Sequence, residues 1–187
     1  MAANKEFDTN MDAKILIPGL LESDHAELDE LLQDSIAALE AGEAARAFTH
    51  LDFFWARLAM HIRAEHLQLF PRVLEVAESL SIDQLPSLLI ELRQDHDYFM
   101  RELARAIKAM RLLFHFGNAA ETFAVVRQLV TGVQERLERH NRLEEELVYT
   151  IATEKYFDRL SLQSLASSIR SELDRYPNRF ADRQRPT

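Results

Sequence analysis

The chain of 187 residues contains no cysteine. That excludes disulfides, thiolate metal sites and a cysteine nucleophile. Glycine and proline are scarce, at 4 and 5 residues. So few turn formers disfavour a many-stranded β fold and favour few, long helices. No apolar run is long enough to span a membrane. The opening Met1-Ala-Ala-Asn-Lys-Glu-Phe-Asp8 lacks the apolar centre of a signal peptide, so a cytoplasmic location is expected. Positive charge is in deficit, with 22 Lys and Arg against 31 Asp and Glu for a net −9. That balance argues against general nucleic-acid binding. What is present is 47% hydrophobic residues, enough for one globular core. With thiolates excluded, metal chemistry falls to the 7 histidines together with Asp and Glu.

Amphipathic periodicity marks four long segments. Asp24 with Glu27 reads as a capping box that opens the first helix, which runs to the C-cap Gly42. The second runs from about Glu43 to Ser79, with Pro71 expected to kink it or end it early. The third follows Pro86 and stops at Phe116, before Gly117-Asn118. The fourth runs from Ala119 to Phe157, and a shorter fifth from Ser161 to Tyr176. The expected fold is all-α, an antiparallel up-down four-helix bundle over residues 20–157. Residues 1–22 form an N-terminal arm, and residues 158–187 a C-terminal helix and polar tail that pack outside the bundle or on a partner.

A step of about 100° per residue places the side chains around each helix. His25 falls with Leu21, Leu28, Leu32, Ile36 and Leu39. His61 falls with Leu51, Phe54, Leu58 and Leu69. His96 shares a face with Leu85, Leu89, Leu92, Leu103, Ile107 and Phe114. His140 shares one with Val126, Leu129, Val133, Leu137, Leu147 and Ile151. A single core histidine is most often a satisfied packing residue. One per helix, in all four helices, points to a common site.

Two carboxylates share these stripes. Glu65 follows His61 by four residues and Glu144 follows His140 by four. The spacing alone is weak, since 31 acidic residues among 187 give about one such pair by chance for 7 histidines. Position carries more weight. A bare carboxylate on an apolar stripe costs several kcal/mol, so each must be paired, protonated or metal-bound. No lysine shares the stripes, whereas Arg57 and Arg136 flank them and offer the best non-metal pairing. Asp29, four after His25, lies at the edge and reads as solvated.

On a helix, positions i and i+4 are about 6 Å apart, so one helix can offer an imidazole and a carboxylate to one site. A carboxylate can also bridge two metals with its two oxygens. His25, His61, His96 and His140 with Glu65 and Glu144 would give each of two metals two imidazoles and one oxygen from each bridging carboxylate. All-N/O ligation suits Fe, Mn or Zn. The order also shows an internal repeat: His25 before His61-Ile-Arg-Ala-Glu65, and His96 before His140-Asn-Arg-Leu-Glu144.

This H…HxxxE…H…HxxxE pattern resembles the hemerythrin-like, or HHE cation-binding, family. The run from His61 through His66-Leu-Gln-Leu-Phe-Pro71 is similar to the family's second-helix motif. The resemblance spans about residues 20–157 and implies two iron ions, oxo- or hydroxo-bridged, inside a four-helix bundle, with Zn or Mn as substitutes. Oxygen-carrying members supply a fifth histidine one turn from the third-helix ligand. Here Met100 and Leu92 hold those places. That implies a more open site and a ligand such as O2, peroxide or nitric oxide, bound for sensing, storage or stress response. A detoxifying or iron-centre-repairing di-iron enzyme is the alternative, and a metal-free helical interaction module is a further one. A small diatomic or peroxide is the expected partner, with neither nucleic acid nor membrane, and a homodimer is left open.

The remaining residues read as structural. His50 lies about three turns from His61, His66 faces surface or the site's outer layer, and His115 suits a helix C-terminus. Phe53, Phe54, Trp55, Tyr98 and Phe99 read as core, with Phe54 and Phe99 able to shelter a bound ligand and Tyr98 able to donate to it. Glu145 and Glu146 read as a solvated face, and the Arg-rich stretch from Arg170 to Arg185 as solvent-exposed.

Overall fold

A computed structural model describes residues 17–116 and 119–176. These residues are all-helical, with no strand among them. Helix α1 spans Pro18–Glu40 and α2 spans Ala44–Ala64. A π turn at Glu65–Leu69 joins α2 to α3, Phe70–Leu80. Helix α4 covers Leu85–Phe116 and α5 covers Ala119–Leu143. A second π turn, Glu144–Val148, and a 3-10 turn, Tyr149–Ile151, close this segment before α6, Arg159–Leu173.

The connections follow local chemistry. Gly42 takes φ +72 between α1 and α2, where a side chain would be strained, and Glu43 N–H closes on Ala38 O at 2.9 Å. Asp158 caps α6 by accepting from Ser161 N–H at 2.9 Å.

Two boundaries differ from expectation. Helix α1 begins at Pro18, before the Asp24 capping box, so residues 18–22 are helix rather than arm. Residues 1–16 of that arm and 177–187 of the polar tail lie outside the described residues. Proline favours the first helical turn because its missing N–H has no partner there in any case. Pro71 does not end its segment: the helix widens into the π turn and continues to Leu80. Pro71 brings no N–H to the α pattern, which eases the wider turn. Thr150 stands at the matching place in the other π turn, so proline is not what makes it.

Two apolar clusters fill the interior. One holds Leu28 to Leu39 of α1, Leu51 to Ile62 of α2, Phe99 to Leu113 of α4 and Val126 to Leu137 of α5. The other gathers Ile17, Leu21, Leu69, Phe70, Leu89, Leu92, Val148 and Tyr149. Helix α6 adds Leu162, Leu165, Ala166, Ile169 and Leu173 to this second cluster, so it packs on the other helices through one apolar face. Each stripe histidine sits where one cluster gives way to the other. His25 lies between Leu21 and Leu28, His61 between Leu58 and Ala64, His96 between Leu92 and Phe99, and His140 between Leu137 and Val148. The chain thus alternates direction between the clusters along α1, α2, α4 and α5.

Candidate metal centre

All four histidines and both glutamates are buried, with Glu65 and Glu144 at 0% exposure. Their ligand atoms fall into two sets, each within 4.8 Å: His25, His61, Glu65 and Glu144, and Glu65, His96, His140 and Glu144. Every candidate ligand read from the sequence is therefore in one place. The carboxylates belong to both sets, and each divides its oxygens between them. Glu65 Oε1 lies 3.5 Å from His61 Nε2 while its Oε2 lies 3.3 Å from His96 Nε2. Glu144 Oε2 lies 3.4 Å from His25 Nε2 while its Oε1 lies 3.1 Å from His140 Nε2.

These spacings suit ligands around an ion. Two donors each about 2.1 Å from one ion, set at right angles, stand about 3 Å apart. The Nε2 atoms of His25 and His61 are 3.1 Å apart. Two lone pairs facing each other there gain nothing without a proton or a cation between them. In the second set, Glu65 Oε2, His96 Nε2 and Glu144 Oε1 are buried without a hydrogen-bond partner. Buried unsatisfied polar atoms are costly, and three such atoms grouped together fit the donor set of a cation. Four imidazoles and two carboxylates are the N/O donors that Fe, Mn or Zn accept.

Each imidazole is also held from behind. His61 Nδ1 is 2.8 Å from Asp24 Oδ2, and His140 Nδ1 is 3.3 Å from Asp95 Oδ2. His25 Nδ1 is 2.8 Å from Glu145 Oε1, and His96 Nδ1 is 2.8 Å from His66 Nε2. A proton donated from Nδ1 leaves the Nε2 lone pair aimed into the cluster, which is the tautomer a metal requires. The non-metal alternative, pairing of Arg57 and Arg136 with the glutamates, does not form. Arg57, fully buried, pairs with Asp24, and Arg136 donates to Asp95 at 2.6 Å. The arginines thus neutralise the carboxylates that orient the histidines and leave Glu65 and Glu144 to the centre.

Three of these groups do not follow from the stripe pattern. Asp24 reads as a helix cap, Asp95 lies off the stripe, and Glu145 reads as solvated, whereas His66 stands in the site's outer layer, one of its two expected places. The signal was the repeat itself, which is longer than HxxxE. Asp24-His25 recurs as Asp95-His96, and Arg57-x3-His61-x3-Glu65 as Arg136-x3-His140-x3-Glu144. Tyr149 was also missed. It follows Glu144 by five residues, as Phe70 follows Glu65. On an unbroken α-helix a side chain five residues on points elsewhere, but the π turn adds one residue and restores it to the same face. The same shift turns Leu147 out to 46% exposure, where the straight-helix stripe had placed it inside. Tyr98 does not face the cluster: it lies half-buried beneath Arg136, 4.5 Å from the ring centroid. Phe99 packs beside His140 at 5.2 Å, and Phe54 lies in the first apolar cluster. Asp29 is exposed, as expected. His50 is 4.0 Å from Asp34, and the side chain of His115 lies outside those described.

Electrostatics follow from burial and from these partners. Burial alone would raise the Asp24 carboxyl, but the His61 hydrogen bond and the charges of His61 and Arg57 hold it below its usual range. Burial would likewise lower His140, yet Glu144 and Asp95 push it up to about 9. His61 rises well above its ordinary value because Glu65 and Asp24 outweigh burial. His96 falls well below, driven by burial and by the charges of His140 and His66. Of the carboxylates, burial and Glu144 raise Glu65, whereas His140 and further histidine contacts hold Glu144 well below despite burial.

Together the helices and the buried cluster define a class: an all-helical bundle with a histidine–carboxylate site compatible with a metal cation. Residues 17–152 match the hemerythrin HHE cation binding domain, and the chain belongs to that family. Comparison with curated proteins and with solved structures finds no match. No helix among the described residues is long and apolar enough to cross a membrane.

Proposed function

We propose that the protein is a non-haem di-iron protein that binds a small ligand such as O2, peroxide or nitric oxide for sensing, storage or stress response in the cytoplasm. His25, His61, His96 and His140 would hold the iron, with Glu65 and Glu144 offering oxygens to both positions. The observation that carries this reading is the division of each glutamate's oxygens between the two sets. A mononuclear site gives no reason for both carboxylates to face both ways. An antiparallel four-helix bundle over residues 20–157 is part of the reading, supported by the alternation of α1, α2, α4 and α5 between the two apolar clusters.

Bound iron would supply Lewis acidity and redox capacity at an interior position. The chain's own part is to hold that position. Asp24, Asp95, Glu145 and His66 fix the imidazole tautomers. Phe70 and Phe99 line the His96 side with apolar surface, at 6.1 Å and 6.5 Å from its ring. Met100 stands one turn beyond His96 in place of a further imidazole, which favours exchange of an outside ligand.

Thermal melting with and without iron tests the reading. Ligand present at 100-fold over its Kd stabilises a fold by about 2.7 kcal/mol. The parent protein is expected to melt at higher temperature with iron, and His61→Ala combined with His140→Ala to abolish that rise. An equal rise in both would place iron elsewhere, and none in either would favour a metal-free helical module.

A further inference from the structure

The two halves of the cluster match position by position until the residue five beyond each glutamate. In one half it is Phe70, whose ring is stacked on His96 at 11°. In the other it is Tyr149, beside His25 with centroids 5.5 Å apart. Tyr149 is fully buried. Its hydroxyl lies 3.0 Å from His25 Nε2, 2.7 Å from Glu65 Oε1 and 3.3 Å from Glu144 Oε2. Those are the atoms through which three residues of the first set face inward. On the Phe70 side, the matching atoms are the ones buried without a partner.

A polar atom this close to three converging donors occupies a place in their shared coordination shell. We propose that the Tyr149 phenolic oxygen is a seventh protein donor, bound to the metal held by His25, His61, Glu65 and Glu144. The metal held by His96 and His140 has no such donor and is the one open to an outside ligand. This rests on the two-metal reading above. On coordination the phenolic O–H bond breaks, the oxygen takes the ferric ion, and the proton leaves to solvent with no transfer of electrons.

The test uses the full chain loaded with ferric iron, with metal content measured on the same sample. A tyrosinate bound to ferric iron gives a broad visible charge-transfer band and tyrosinate ring modes in the resonance Raman spectrum. The wild type is expected to show both, and Tyr149→Phe to lose both while retaining iron. Phe70→Tyr, which places a phenol at the matching position, should add intensity. Full di-iron loading without tyrosinate modes, or modes that survive Tyr149→Phe, would overturn this inference and leave the two-metal reading standing. Absence of bound iron would overturn both. Should Tyr149→Phe fail to fold, the wild-type spectrum decides, because Tyr149 is the phenol that touches the cluster among the described residues.

Discussion

The two helical hairpins carry the same machinery in different surroundings. In the first, Asp24 joins His61 to Arg57, and Arg57 is fully buried. Arg57 reaches further, donating to Leu173 O at the end of α6 at 2.9 Å. Arg63 pairs with Glu172 of the same helix at 2.6 Å. In the second, Asp95 joins His140 to Arg136, whose side chain is 40% exposed and lies over Tyr98. So one relay is sealed beneath α6 and the other opens to solvent. The halves also differ in what backs their first histidine, a carboxylate for His25 and an imidazole for His96. Near-duplicate sets of candidate ligands thus sit in two electrostatic settings, and under the proposed two-metal reading the two positions should not behave alike.

Several substitutions break that comparison at different depths. Glu144→Ala removes a donor from both sets, and iron content is expected to fall below one ion per chain by elemental analysis. Asp24→Asn leaves Arg57 as a buried, uncompensated charge, which costs about 3–5 kcal/mol. Asp95→Asn leaves Arg136 in water, where exposed pairs are worth about 0–1 kcal/mol. Urea denaturation of the metal-free protein should therefore separate the two variants clearly, and equal losses would contradict the sealed-versus-open distinction. Both should still weaken iron binding by about 10–100-fold, because each releases an imidazole.

Proton linkage probes the second half. His140 has its pKa raised to about 9, so it carries a proton at neutral pH in the metal-free protein. The stability that its pairing contributes is present below its unfolded value of about 6.5 and is lost as pH rises through about 9. A ligating imidazole must be neutral, so metal uptake expels this proton and tightens as pH rises over the same interval. A pH-indicator dye should record proton release on iron addition at neutral pH, and less of it in His140→Ala. The smallest effect is expected from His66→Ala, about ten-fold in affinity. Because His96 is already held neutral, the loss should come with little change in proton release.

The sequence made the fold class legible because helical periodicity needs only local order. It made the six inward groups legible because an ionisable residue on an apolar stripe stands out. The partners behind the histidines were harder to see, since Asp24 and Glu145 belong to faces where acid is ordinary. Only the longer repeat, Asp-His with Arg-x3-His-x3-Glu, distinguishes them. The π turns were not legible. They depend on tertiary packing, and they change which of Leu147, Val148 and Tyr149 turns inward. What α6 covers was not legible either, because a short amphipathic segment does not announce its partner.

In the proposed reading, Glu65 and Glu144 hold two metals at once. Metal analysis of ferric-loaded protein, combined with electron paramagnetic resonance on the same sample, tests it most directly. Two irons per chain and no resonance from isolated ferric ions are expected, because a pair held by shared carboxylates would couple. One iron per chain with the signal of an isolated high-spin ferric ion would contradict it.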